Sequence, residues 1–217
     1  MKLTIFTPTY NRSTTIKRTY HSLLLQTCKD FEWIIVDDGS TDDTVNTVTP
    51  WLSQNNGFTI RYFRQTNSGK YRAYNKGLQE AQGDLFFCLD SDDWLPVRSV
   101  ELILSHLDSL NGDASIAGLT ALKEYPNQNL IGQAYTGNIY RSSLYHLEEI
   151  GQGGERSLVF KTRIAKFFPF PEETEEKFIT ESVIYDRYEG QYEFLVVNDV
   201  LTTCEYQQNG LSSNPRH

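Results

Sequence analysis

The chain of 217 residues has 39% hydrophobic and 22% charged residues, which predicts a soluble globular protein and excludes a disordered or fibrous one. Its net charge of −8 weighs against nucleic acid as a partner, because proteins that follow a phosphate backbone need a basic face. The three cysteines are scattered, so they predict neither a disulfide framework nor a zinc cluster, and we expect a reducing, cytoplasmic compartment.

The first half of the chain alternates between strand and helix patterns. The predicted strands cover residues 2–10, 31–40, 58–65 and 84–93, and the predicted helices cover residues 13–27, 41–53, 70–82 and 96–110. This order predicts an α/β sandwich with a mainly parallel central sheet and helices on both faces. Ligands of such sheets bind at the carboxyl ends of the strands.

After Gly112 the pattern becomes mixed, and no linker separates a second core. The predicted strands lie within residues 114–125, 132–140, 157–167 and 192–206, the last as two strands that meet near Asn198 and Asp199. A short helix is predicted after the strand within residues 157–167, and another helix within residues 178–189. We therefore expect residues 1–217 to form a single domain. Residues 1–112 form its first half, and residues 113–217 add a smaller mixed sheet and the other wall of a cleft.

The segment "LDSDDWL" places three aspartates at the end of the fourth predicted strand. Residues i and i+2 of an extended segment point the same way, so Asp90 and Asp92 can bind one ligand. Carboxylate oxygens are preferred by Mg²⁺ and Mn²⁺, which are usually held by one or two carboxylates and a substrate's phosphates. The alternative is a solvated acidic turn that caps the next helix, to which Asp93 would contribute.

Two further polar clusters follow the second and third predicted strands. In "VDDGSTDDT", a carboxylate such as Asp38 either accepts hydrogen bonds within a turn or contacts the base or ribose of a nucleotide. In "NSGKYRAYNKG", Lys70 and Arg72 either approach a diphosphate or belong to a solvated helix face. Neither segment is a dinucleotide-binding fingerprint or a Walker loop.

The four segments "TPTYNR", "VDDGSTDDT", "NSGKYRAYNKG" and "LDSDDWL", in this order, resemble the inverting glycosyltransferases of family 2, which have the GT-A fold. The resemblance covers about residues 3–95. "FPFPEETEEKFITES" continues it and resembles the acceptor side of bacterial capsule, O-antigen and cell-wall glycan members. The order of the four segments is far more specific than any one of them.

The resemblance implies a role for each matching residue. It implies that Asp38 hydrogen-bonds a uracil-type base, that Asp90 lies near the ribose and the metal, and that Asp92 binds Mn²⁺ or Mg²⁺ on the diphosphate. The other residues that it implies at the nucleotide-sugar site are Thr7, Pro8, Tyr10, Arg12, Lys70, Arg72 and Ser91. It thereby implies a UDP-sugar donor and a glycan or lipid-linked acceptor.

The base of an inverting transfer must accept the proton of the acceptor hydroxyl as its oxygen attacks the anomeric carbon. The family often shows Glu-Asp at this point, whereas this chain has Thr180-Glu181-Ser182. We therefore expect Glu181 to be the base, with Asp186 as a weaker substitute. The alternative is that Glu181 is an ordinary surface glutamate.

Several interpretations stay open at this stage. Trp94 either stacks on a sugar of the acceptor or anchors the core, and His217 could reach a metal only if the end of the chain folds back.

A sugar nucleotidyltransferase would need a glycine-rich first loop, and a haloacid-dehalogenase-type phosphatase needs an aspartate spacing that "VDDGST" lacks. A catalytically idle module that binds a nucleotide sugar or a glycan is the alternative from another class.

No apolar window reaches the ~18 residues of a spanning helix, so we expect any membrane contact to be peripheral, at the inner face.

Overall fold

The computed structural model of the protein describes residues 1–136, 141–151, 155–172 and 176–205. Its centre is a nine-stranded sheet with the strand order β3-β2-β1-β4-β8-β5-β9-β7, and β6 pairs with β5 beside this path. The strands are β1 (Leu3–Thr9), β2 (Phe31–Asp37), β3 (Thr59–Arg64), β4 (Leu85–Cys88), β5 (Ile116–Glu124), β6 (Leu130–Ile131), β7 (Arg141–Ser142), β8 (Ser157–Lys161) and β9 (Glu193–Thr203).

The helices follow the strands of the first half and are shorter in the second. They are α1 (Ile16–Leu24), α2 (Thr44–Val48), α3 (Lys70–Glu80), α4 (Ser99–Ser105), α5 (Leu107–Asn111), α6 (Leu144–Glu149), α7 (Thr162–Ala165) and α8 (Ser182–Tyr185), with 3-10 turns at Thr49–Ser53 and Asp186–Tyr188. The helix predicted over residues 96–110 is divided at His106 into α4 and α5. Within the described part of the chain, no helix has the length and apolar character needed to cross a bilayer.

Strands β1 to β4 are parallel, and helices cover both of their faces, as the sequence predicts. Every residue of β1 and β2 is buried. Because successive side chains of a strand face opposite ways, Ile5 packs into a core with α1, α4 and α5, whereas Phe6 packs into a second core with α3. Burial on both faces explains why these strands are continuous apolar runs in the sequence.

The strands of the second half are mixed in direction, and they extend the same sheet. Strand β8 is antiparallel to β4 and to β5, while β5 is parallel to β9. The prediction of two strands that meet near Asn198 and Asp199 is wrong, because the single strand β9 runs unbroken from Glu193 to Thr203. The pairing of β5 with β9 shifts register between Thr120 and Leu122, which oppose Val196 and Val200. The polar Asn-Asp pair therefore marks a bulge and not a turn.

Candidate active site

The carboxyl ends of β1, β2 and β4 open into a cleft of about 1050 Å³. Parallel strands bring their carboxyl ends to one edge of the sheet, so the loops after these strands meet there. Nine of the twelve site residues predicted from the sequence line this cleft: Pro8, Tyr10, Arg12, Asp38, Lys70, Asp90, Ser91, Asp92 and Glu181. The far wall comes from the second half of the chain.

The other three predicted residues lie away from the cleft. Thr7 is fully buried, and its hydroxyl accepts a hydrogen bond from the Trp33 indole at 2.9 Å, so its side chain belongs to the core. Arg72 points to the outer side of α3 and donates to the carbonyl oxygens of Ser68 and Glu172. The guanidinium of Arg18 covers the ring of Trp94, 3.9 Å from its centroid. These three side chains do not line the cleft, and their predicted roles at the nucleotide base, the diphosphate and an acceptor sugar stay predictions.

One ammonium group joins the two carboxylates that the sequence assigns to different roles. Lys70 Nζ lies 2.9 Å from an oxygen of Asp90 and 2.9 Å from an oxygen of Glu181. Burial opposes a charge on Lys70, but Asp90 and Glu181 outweigh it and raise the pKa of the lysine well above its ordinary value. Lys70 is therefore a charged link between the end of β4 and the segment before α8.

The carboxylates of residues 90–93 differ in electrostatic environment. Burial raises the pKa of Asp90, but the charge of Lys70 outweighs it and leaves that pKa below its ordinary value. Burial and the nearby Asp90 raise the pKa of Asp92, and the same two causes raise the pKa of Asp93 to about 7. Arg12 Nε lies 4.0 Å from an oxygen of the Asp92 carboxylate. This part of the cleft therefore carries negative charge that its own cations only partly balance.

The donor set of this loop fits a hard divalent cation. Asp90 and Asp92 supply carboxylate oxygens, and a bound cation would relieve their mutual repulsion. The described residues contain no group of three or more His, Cys, Asp or Glu side chains arranged to hold a metal. Two carboxylates suit an ion whose shell is completed by water and phosphate oxygens. His217 lies outside the described residues.

Asp38 is buried and organises the loop of residues 65–69. Its carboxylate accepts hydrogen bonds from the backbone N–H groups of Ser68 at 2.9 Å and Gly69 at 2.8 Å, and from the side-chain amide of Gln65 at 2.8 Å. Gly69 has φ +105°, and a Cβ there would lie 2.2 Å from the Lys177 carbonyl oxygen, so glycine is required. Asp38 thus holds the loop that leads into α3 and Lys70.

Replacing Asp38 with Ala should lower the free energy of unfolding by about 2–4 kcal/mol, because it leaves two buried or half-buried backbone N–H donors without acceptors. Urea denaturation measures this change. Asp43→Ala is the matched control, because Asp43 is exposed and its carboxylate accepts a hydrogen bond from the nearby Asn46 side chain at the surface. Equal stability of the two variants would contradict this role of Asp38.

The far wall contains residues that the sequence interpretation did not select. Lys123 of β5 is largely buried, and its ammonium lies 3.7 Å from a carboxylate oxygen of Glu155. Tyr185 of α8 lies one turn after Glu181 and shares the cleft with it. A helical spacing of four could have indicated Tyr185, since residues i and i+4 share a helix face. Lys123 carried no such signal, because "LKE" at a strand end is ordinary.

A family model described as "Glycosyl transferase family 2" matches residues 4–170, which is more than half of the chain. The chain belongs to glycosyl transferase family 2. The matched region contains all of the predicted cleft residues except Glu181.

Curated proteins similar to this family 2 chain include enzymes of bacterial glycan synthesis. The poly(ribitol-phosphate) beta-N-acetylglucosaminyltransferase TarP of Staphylococcus aureus is 26% identical over 98% of the chain and 68% of TarP. A chondroitin synthase of Escherichia coli is 36% identical over 64% of the chain and 20% of that protein. The glycosyltransferase GlyA of Streptococcus pneumoniae is 26% identical over 69% of the chain, which spans 22% of GlyA.

Solved structures show that the family 2 chain has the GT-A fold. The structure of residues 1–349 of S. aureus TarS in complex with UDP-GlcNAc aligns with a TM-score of 0.72 and 21% identity, covering 99% of the chain and 61% of TarS 1–349. The mannosyltransferase PcManGT of Pyrobaculum calidifontis in complex with GDP-Man and Mn²⁺ aligns with a TM-score of 0.68 and 19% identity, covering 96% and 58% of the two chains. At these identities the likeness concerns the fold alone.

Proposed function

We propose that the protein is an inverting, metal-dependent glycosyltransferase that moves a sugar from a UDP-sugar to a hydroxyl group of a glycan or lipid-linked acceptor. The observation that carries the proposal is the contact of Lys70 with both Asp90 and Glu181. It brings the candidate carboxylate of the donor site and the candidate base to one ammonium group. The UDP-GlcNAc complex of TarS and the name of TarP support the choice of donor.

The donor side of the cleft is formed by the loops after β1, β2 and β4. Tyr10 is exposed at the rim and Arg12 is half-buried, so an aromatic ring and a guanidinium are available to a nucleotide. Asp38 holds the backbone that frames this side and can contact a base only as part of that hydrogen-bonded loop. Lys70 provides the ammonium nearest to the carboxylates and can pair with a diphosphate oxygen.

Asp90 and Asp92 would hold the divalent cation. Such an ion supplies charge neutralisation for the nucleoside diphosphate as it leaves. Without it, a diphosphate entering the cleft would meet the negative charge of Asp90 and Asp92. The same electrostatics that raise the pKa of Asp92 therefore favour the binding of a cation together with the donor.

Glu181 accepts the proton in the proposed reaction. The acceptor oxygen forms a bond to the anomeric carbon from the face opposite the diphosphate, the bond from that carbon to the diphosphate oxygen breaks, and the hydroxyl proton moves to a Glu181 oxygen. A single displacement of this kind inverts the anomeric configuration. Lys70 contacts one oxygen of Glu181, so the proton moves to the other oxygen unless Lys70 first moves away.

Incubation with Mn²⁺ and a panel of nucleotide sugars tests the proposal. We expect a UDP-sugar to raise the melting temperature, because a ligand that binds only the folded state stabilises it. We also expect release of UDP when a suitable acceptor hydroxyl is present. Failure of every nucleotide to stabilise the protein, with or without metal, would overturn the proposal. Stabilisation without release across a broad set of acceptors would favour the idle binding module.

A further inference from the structure

The guanidinium of Arg18, on the helix that follows β1, makes three contacts behind the aspartate loop. One terminal nitrogen donates to the main-chain carbonyl oxygen of Asp92 at 2.7 Å, and the other pairs with the Glu205 carboxylate at 2.5 Å. The guanidinium plane also covers the ring of Trp94, at 3.9 Å from Cζ to the centroid. The side chain thus joins α1, the aspartate loop and the segment that follows β9.

Further hydrogen bonds hold the same loop from both sides. The hydroxyl of Thr19, the next residue of α1, donates to the carbonyl oxygen of Asp93 at 2.8 Å in a buried environment. Trp94 and Thr203 exchange two backbone hydrogen bonds, of 3.1 and 2.8 Å. Residues 92–94 are therefore held between α1 and the end of β9. Among the hydrogen bonds named here, the one from Arg18 is made to the Asp92 carbonyl itself.

The arrangement is more specific than an ordinary surface ion pair. Exposed salt bridges usually contribute little, because water screens them and two long side chains must be ordered. Arg18 is about one third exposed, and its planar group makes two charge-assisted contacts while stacking on an indole. A hydrogen bond to the Asp92 carbonyl restrains the peptide that follows Asp92, and with it the backbone from which the Asp92 carboxylate enters the cleft.

We propose that Arg18 is a positioning residue for Asp92, and that Glu205 assists it, so that cation affinity depends on the junction of α1 with the end of β9. This rests on the proposed function, since Asp92 is placed there as a ligand of the cation. Loss of such outer contacts typically costs 10- to 100-fold in metal affinity. Arg18 does not line the cleft, so it would act on the cation only through Asp92.

The test is a Mn²⁺ titration of the thermal stabilisation that UDP confers, which needs no turnover. We expect Arg18→Met to raise the Mn²⁺ concentration at half effect by about tenfold or more. Stabilisation by UDP alone should stay close to that of the wild type. Arg18→Lys should recover part of the effect, because an ammonium can still donate to the Asp92 carbonyl but cannot make all three contacts at once. Glu205→Gln should give a smaller shift in the same direction.

Arg98→Met is the matched control, since Arg98 is exposed and pairs with Glu101 on the surface of α4. It should leave the Mn²⁺ midpoint unchanged. A lower melting temperature in Arg18→Met with an unchanged midpoint would overturn the positioning role while leaving the proposed function intact. If Arg18→Met does not fold, Arg18→Lys and Glu205→Gln decide by the same midpoint. Absence of any Mn²⁺ effect in the wild type would instead defeat the proposed function, and this inference with it.

Discussion

Glu181→Gln should lower turnover by about 10²- to 10⁴-fold, the range that a positioned general base contributes. The amide keeps the size of the side chain but cannot accept the acceptor proton. Donor binding should stay near that of the wild type, because Lys70 retains its contact with Asp90. Product release in steady state and nucleotide binding by calorimetry measure the two quantities separately.

Asp186→Asn is the matched control for this change and also tests the weaker candidate for the base. Asp186 is exposed in the 3-10 turn after α8 and does not line the cleft, whereas Glu181 does. Turnover of Asp186→Asn should therefore be close to that of the wild type. Full activity in Glu181→Gln, or loss of activity only in Asp186→Asn, would remove Glu181 from the mechanism.

Asp92→Ala should reduce metal-dependent turnover by about 100-fold or more, because a carboxylate ligand of the cation that neutralises the leaving diphosphate is lost. The fold should not be weakened. Burial and Asp90 raise the pKa of Asp92, which means that the folded protein disfavours its ionised form, so removing that charge at neutral pH relieves more repulsion and burial cost than the contact with Arg12 provides. Melting temperature and Mn²⁺-dependent product release are the two measurements.

The matched control is Asp84→Ala, at the opposite end of the same strand. Asp84 is exposed just before β4, while Asp92 lies in the loop after it. This variant should keep both turnover and its dependence on Mn²⁺. Equal activity of Asp92→Ala and Asp84→Ala at all Mn²⁺ concentrations would show that Asp92 does not bind a required metal.

The parallel half of the sheet could be predicted from the sequence because its strands are buried on both faces. Such strands are continuous apolar runs, and the polar clusters that end them fall at one edge by the geometry of a parallel sheet. This geometry predicts that Asp38, Asp90 and Asp92 lie together at the cleft, where the structure has them. The order of clusters, and not any single residue, made the cleft predictable.

Side-chain direction explains why three of the predicted site residues lie outside the cleft. On α3, Lys70 and Tyr74 are four residues apart and face the cleft, whereas Arg72 and Lys76 share the outer side. A helix turns by about 100° per residue, so Lys70 and Arg72 cannot face the same ligand. Thr7 lies outside the cleft for the corresponding reason in a strand, since its hydroxyl faces the core and accepts a hydrogen bond from the Trp33 indole.

The second half was harder to predict, because its contacts are set by pairing between distant segments. Asn198 and Asp199 read as a turn, and only the pairing of β9 with β5 turns them into a bulge. The contact of Arg18 with Glu205 joins residues 187 positions apart, and no local sequence pattern predicts it. Lys70 and Glu181 are likewise distant in sequence and meet only because the cleft has two walls.

Calorimetric titration of UDP, with and without Mn²⁺, tests most directly whether this cleft is a metal-assisted nucleotide-sugar site. The arrangement of Asp90, Asp92 and Lys70 predicts saturable binding of one UDP per chain, and it predicts that Mn²⁺ tightens that binding. Absence of saturable binding in both titrations, or binding of equal strength with and without Mn²⁺, would contradict it.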